Sequence, residues 1–189
     1  MLTAERFNHS VEVSKEAVRL ARLYGGDVGK AETAGLLHDI CKDTDKSVLL
    51  KLFEDNHIAL NEQEKRAPKL WHAIAGALFV ERELGIKDTD ILNAVRYHTT
   101  ARAGMSLTEK IIYVADFTSP DRSYPGVEKI RQKAGISLEE CMREALSFTI
   151  CDLAGRNMPI HTETVAAYNE INGERNAKDE SFAFTERNK

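Results

Sequence analysis

Apolar residues in this chain recur every three or four positions, and nowhere do they alternate over the length of a strand. A period near 3.6 gives a helix one buried stripe, whereas a half-buried strand needs a period of two. The pattern therefore confines the chain to helices. It predicts an all-α fold, a compact bundle of roughly eight to ten helices.

The punctuation between the periodic runs fixes where each helix belongs. Residues 4–24 read as a helix capped by Thr3, with Phe7, Val11, Val18, Leu20 and Ala21 inward and His9 and Val13 on its flanks. Tyr24-Gly25-Gly26-Asp27 ends it and opens a second helix, Val28 to about Ile40. Ala31, Ala34 and Gly35 give that helix a small-residue face for close packing. Asp43 or Thr44 caps a third, Asp45–Asn56, with Val48, Leu49, Leu52 and Phe53 inward. Further helical segments are expected at Glu62–Arg66, Leu70–Leu84 and from Asp88 or Thr89 to His98. The next runs from Ser106 or Leu107 to Asp116, with Ser106 and Glu109 spaced as a capping box. Ser119–Gly126 is a loop, and Val127–Ala134, Ser137–Leu153 and Ile160–Asn172 follow as helices. The expected organisation is one domain over residues 1–172 and a polar tail over 173–189, in which Phe182 and Phe184 could dock locally.

Composition narrows the classes of partner. With 189 residues the chain can bury one sizeable core. A net charge of -4 argues against a protein that grips nucleic acid through its overall field. No apolar run approaches the ~20 residues that span a bilayer, and the first residues lack the pattern of a signal peptide. Cys41, Cys141 and Cys151 stand far apart, which suits a reducing, cytoplasmic setting and offers no thiolate metal framework.

The chemistry gathers at helix ends. Leu36-Leu37-His38-Asp39-Ile40 is an apolar helical face that terminates in a His-Asp pair. Neighbouring side chains leave a helix about 100° apart, so only near a helix end do these two converge on one ion. His9, His72 and His98 also lie beside predicted core. A single histidine on a helix face is more often a packing residue than a ligand. Together with Asp39 and Asp116, the four form an imidazole and carboxylate set without thiolate, which suits iron, manganese, zinc or nickel. Asp116 follows five apolar residues, Ile111 to Ala115, near a helix C-terminus, where a carboxylate needs a cation or good hydrogen bonds. His57 and His161 read as surface residues. Lys42 and Arg122 are the first candidates to meet an anion. Arg96 and Arg102 are weaker ones, and Thr99 offers a hydroxyl beside His98.

The order of these motifs resembles the HD-domain metal-dependent phosphohydrolases. The resemblance is nearest to the YqeK-type symmetrical bis(5'-nucleosyl)-tetraphosphatases. It is carried by Arg6-Phe7-Asn8-His9-Ser10-Val11, Leu36 to Asp43, Trp71-His72-Ala73, Val95 to Thr99, and Ile112 to Arg122, and covers about residues 5–170. It implies that His9, His38, Asp39 and Asp116 hold one metal, that Asp39 bridges to a second, and that His72 and His98 complete the second site. It implies two divalent metal ions, iron first, with manganese, magnesium, nickel or zinc as alternatives. A metal-bridging hydroxide would cleave diadenosine tetraphosphate into two ADP, with Asp39 and Lys42 taking catalytic parts and Lys42, Arg122 and Thr99 contacting substrate. A homodimer is expected from the resemblance alone. Two other readings stay open: a nucleotidase or other nucleotide phosphohydrolase, and a nucleotide-binding regulatory module without turnover.

Overall fold

The computed structural model describes residues 2–173, and among these every regular element is helical. The expected tail, with Phe182 and Phe184, lies outside the described residues. The order is α1 Ala4–Tyr24, α2 Val28–Leu37, α3 Lys46–Asp55, α4 Glu62–Arg66, a 3-10 turn Pro68–Leu70, α5 Trp71–Arg82, α6 Thr89–Tyr97, α7 Leu107–Thr118, α8 Val127–Ala134 and α9 Leu138–Gly155. A last helix, α10, covers 162–173. No helix among the described residues is long and apolar enough to cross a membrane.

The caps form much as the side chains dictate. Thr3, Asp27 and Ser106 accept from backbone amides three residues on, and the Ser106–Glu109 capping box closes in both directions. Asp45, rather than Asp43 or Thr44, caps α3. Asp43 accepts instead from the Thr3 amide at 2.9 Å, which ties the start of α1 to the segment after the His-Asp pair.

α1 packs on α2 and α7, α6 packs on α5 and α7, and α2 also meets α6. Val13, Ala17, Leu20, Ala31, Ala34 and the Ile111–Ala115 run fill the main core. A second, smaller core joins Cys41, Leu49, Phe53, Trp71, Ile74 and Ala75. The buried stripe of α1 is rotated from the one expected. His9, Ser10, Val13, Ser14, Ala17, Leu20 and Ala21 face inward, whereas Phe7 is 58% exposed. The reason is close approach. A Cβ on Gly35 of α2 would stand 2.7 Å from the Ser14 Cα, so α1 must present its small residues there. Val48, expected inward on α3, is likewise exposed, while Leu49 and Phe53 are buried.

Candidate metal centre

Four helices deliver four imidazoles to one buried row. His9 comes from the second turn of α1, His38 caps the C-terminus of α2, His72 opens α5, and His98 caps the C-terminus of α6. All four are buried, each 5% exposed or less. Ring centroids are 5.3 Å apart for His9 and His38, 4.9 Å for His38 and His98, and 5.1 Å for His98 and His72. Asp116, in the last turn of α7, faces His9 and His38, and Asp39 faces His38, His72 and His98. All six residues singled out as ligands therefore meet, although up to 107 positions separate hydrogen-bonded partners.

Every ring turns the same nitrogen inward. Nδ1 of His38 donates to the Gly35 carbonyl at 2.7 Å, Nδ1 of His72 to the Lys69 carbonyl at 2.7 Å, and Nδ1 of His98 to the Val95 carbonyl at 2.8 Å. A carbonyl only accepts, so Nδ1 carries the proton and the neutral ring presents a lone pair at Nε2. His9 Nδ1 donates to Asp121 Oδ2 at 2.6 Å, which fixes the same nitrogen and turns Nε2 inward. Asp121 is the residue that sequence reasoning missed. Its place in the Ser119–Gly126 loop offered no helical register from which to pair it with α1.

The lone pairs crowd one another. His72 Nε2 is 3.1 Å and His98 Nε2 3.2 Å from Asp39 Oδ1, and the two nitrogens are 3.2 Å apart. At the other end His9 Nε2 lies 3.0 Å from Asp116 Oδ1. Between them, His38 Nε2 is buried with no hydrogen-bond partner among the described residues. Two sets of ligand atoms are close enough to share an ion: His9, His38 and Asp116, and His38, Asp39 and His98. Convergent acceptors, met by protein donors only from Lys42 at one end and Arg122 at the other, suit a cation, so the donor set fits divalent metal.

The charge states agree. Burial pushes the His38 imidazole down to about 4 despite the pull of Asp116, which leaves it neutral at physiological pH. Burial also lowers His72, against the hydrogen bond to Asp39. For Asp39, burial acts upward, but the His72 and His98 rings against Oδ1 and the His38 ring beside it prevail and hold the carboxyl far below its usual range. Asp116 is held low in the same way, chiefly by the His9 hydrogen bond and the Arg122 charge. His9 is raised, because Asp116 outweighs the effect of burial. Neutral His38 and His72 beside ionised Asp39 and Asp116 are the protonation states that a metal requires, whereas an ion at His9 would have to displace the proton that Asp116 favours there.

Two protein cations flank the row. Lys42 Nζ lies 3.2 Å from Asp39 Oδ1 and 3.1 Å from His72 Nε2. The Arg122 guanidinium bonds Asp116 through its carboxylate and its carbonyl, and its Nη2 is 3.3 Å from His9 Nε2. Arg122 also lines a cavity of about 530 Å³ with Arg6, Asn8, His9, Asp121 and Tyr124. Thr99 follows His98, but its hydroxyl is buried without a partner and meets none of the other candidates. Arg96 and Arg102 are committed elsewhere, to Glu64 and to Glu109, and both stack on the Tyr97 ring. His57 is exposed. His161, expected at the surface, is 6% exposed, because Asn61 of α4 and Glu64 close over it.

Replacing Asp121 with Asn removes the charged acceptor that orients His9. Such second-layer losses cost about 10–100-fold in metal affinity. Titration of the metal-free protein should show that loss at one ion only, and an unchanged affinity would rule out the Asp121–His9 pair as an anchor.

Comparison with known proteins agrees with this arrangement. The HD domain family model matches residues 6–121. A protein of Halalkalibacterium halodurans named "Bis(5'-nucleosyl)-tetraphosphatase, symmetrical" is 42% identical, covering 90% of each chain. A Bacillus subtilis protein of the same name is 39% identical, covering 89% of this chain and 90% of its own. A crystal structure from Clostridium acetobutylicum, of a predicted HD superfamily hydrolase involved in NAD metabolism, superposes with a TM-score of 0.88 at 35% identity over 92% of each chain. With the helical fold, the converging histidines and these relatives in agreement, the chain belongs to the HD domain family.

Proposed function

We propose that the chain is a metal-dependent hydrolase that cleaves diadenosine tetraphosphate symmetrically into two ADP. The carrying observation is the row of four imidazoles, each with Nδ1 anchored and Nε2 turned toward Asp39 or Asp116. The names and 90% mutual coverage of the relatives supply the substrate.

In this reading His9, His38 and Asp116 would hold one divalent ion, and Asp39, His72 and His98 would hold the second. Iron is the first candidate, and manganese, magnesium, nickel or zinc are alternatives. Such ions supply a water of lowered pKa and neutralise phosphate oxygens. The chain's own residues do the rest. The anchored Nδ1 protons hold the rings fixed through turnover, so no reorganisation is spent on the ligands. Lys42 is 28% exposed and Arg122 34%, one at each end of the row, so each can reach the anionic chain of the substrate. Water adds at an inner phosphorus, the central phosphoanhydride breaks, and each half leaves as ADP. No side-chain nucleophile is needed. The thiol nearest in sequence, Cys41, is buried in the second core with Phe53 and Trp71. Its burial with Cys141, and the absence of disulfides among the described residues, fit a reducing cytoplasm.

Product analysis tests the reading. Metal-loaded protein given diadenosine tetraphosphate should yield ADP alone on anion-exchange chromatography. ATP with AMP, or free phosphate from nucleoside monophosphates, would replace the symmetrical reading with the broader phosphohydrolase one.

A further inference from the structure

Glu64 lies outside the row of ligands, on the short helix α4, yet it is only 4% exposed. Burying a carboxylate is costly unless it is paired and hydrogen-bonded, and this one is fully engaged. Its Oε2 accepts from the Asn61 amide at 2.9 Å, closing the α4 capping box. Its Oε1 accepts from Arg96 Nη2 at 2.5 Å and lies 3.7 Å from His161 Nε2. Its backbone carbonyl accepts from Trp71 Nε1 at 2.7 Å.

Those bonds end on two particular neighbours. Trp71 immediately precedes His72, whose Nδ1 is held by Lys69 in the 3-10 turn that leads into α5. Arg96 stands two residues before His98, whose Nδ1 is held by the carbonyl of Val95, the residue just before Arg96. One residue thus bonds both segments that bring His72 and His98 to Asp39. None of its hydrogen bonds reaches α1, α2 or α7, which carry His9, His38 and Asp116. We infer that Glu64 is a positioning residue for the His72–His98 end of the centre, setting the affinity of one ion and leaving the other alone. The inference rests on the two-ion reading above.

The test uses the full-length protein, freed of metal and titrated with Mn²⁺ by calorimetry, with electron paramagnetic resonance on the same samples. Wild type should bind two ions and show the spin coupling of a pair. Glu64→Gln keeps the shape and the capping geometry but removes the charge that Arg96 meets. It should bind one ion with unchanged affinity and the other about 10–100-fold more weakly. At intermediate Mn²⁺ its spectrum should be that of an isolated ion. Arg96→Met should reproduce the effect, and the double variant should fall short of the sum of the two. Asp121→Asn should weaken the opposite step. If Glu64→Gln lowers only thermal stability, or weakens both steps equally, Glu64 is a structural residue and the inference fails. A wild-type protein that binds fewer than two ions would instead overturn the two-ion reading, and the inference with it.

Discussion

Asp39→Asn should abolish binding at the Asp39–His72–His98 end and lower turnover roughly 10³-fold, since metal stabilisation of the transition state is worth several kcal/mol and each 1.36 kcal/mol is a factor of ten. Asp39 is the one carboxylate that faces three of the four imidazoles. The amide keeps its size but loses the charge, and its NH₂ can donate to the Nε2 lone pairs that a cation would otherwise satisfy. The metal-free variant should melt a few degrees below metal-free wild type, because it removes a carboxylate whose ionised form stabilises the fold and takes the partner from Lys42. Elemental analysis after reconstitution and the turnover number check the first part, and calorimetry checks the second. Full metal content with normal turnover would remove Asp39 from the centre. A collapse of stability would show that the lost activity was unfolding.

The second large effect comes from a residue with no functional group. Gly35→Ala places a methyl 2.7 Å from the Ser14 Cα and 3.1 Å from its amide nitrogen, both of them backbone atoms. α1 must move away from α2. Overpacking of this kind costs about 1–3 kcal/mol, partly offset by roughly 0.5–1 kcal/mol from replacing a helical glycine. The melting temperature should fall by a few degrees. Activity should fall further, by roughly 10²-fold, because α1 carries His9 and α2 carries His38 and a displacement near 1 Å suffices for that. Gly29→Ala is the control. It sits in the same helix, where its methyl would find only Asp27 Oδ1 at 3.4 Å. Loss of stability without loss of activity in Gly35→Ala would break the proposed tie between helix spacing and ligand geometry.

The helices and the convergence of the six candidate ligands were legible for the same reason. Caps such as Thr3, Asp27 and Ser106 act within three residues, and the histidines stand at helix starts and ends that local sequence marks. What depended on long-range packing was harder to read. Counting large apolar side chains placed Phe7 inward, when the stripe that packs on α2 is the one made of small residues and His9. His161 read as a surface residue because its cover, Asn61 and Glu64, lies about a hundred positions earlier in the chain. Asp121 was invisible because an exposed-looking loop gives no clue to the helix it turns toward. Lys42 and Arg122 were found by their nearness to ligands in sequence. Their contacts to the ligands' lone pairs emerged only with the fold.

The anchoring of the imidazoles also sets where mutation can harm the centre. Three of the four Nδ1 protons go to a carbonyl three residues earlier in the same chain segment. A main-chain carbonyl persists whatever side chain replaces Gly35, Lys69 or Val95, so those three orientations are inherited with the helix end itself. His9 alone depends on a side chain, and that side chain lies 112 residues away. Genetic drift can therefore delete an Nδ1 acceptor outright only at the Asp121 codon, while any substitution at Gly35, Lys69 or Val95 leaves the accepting carbonyl in place.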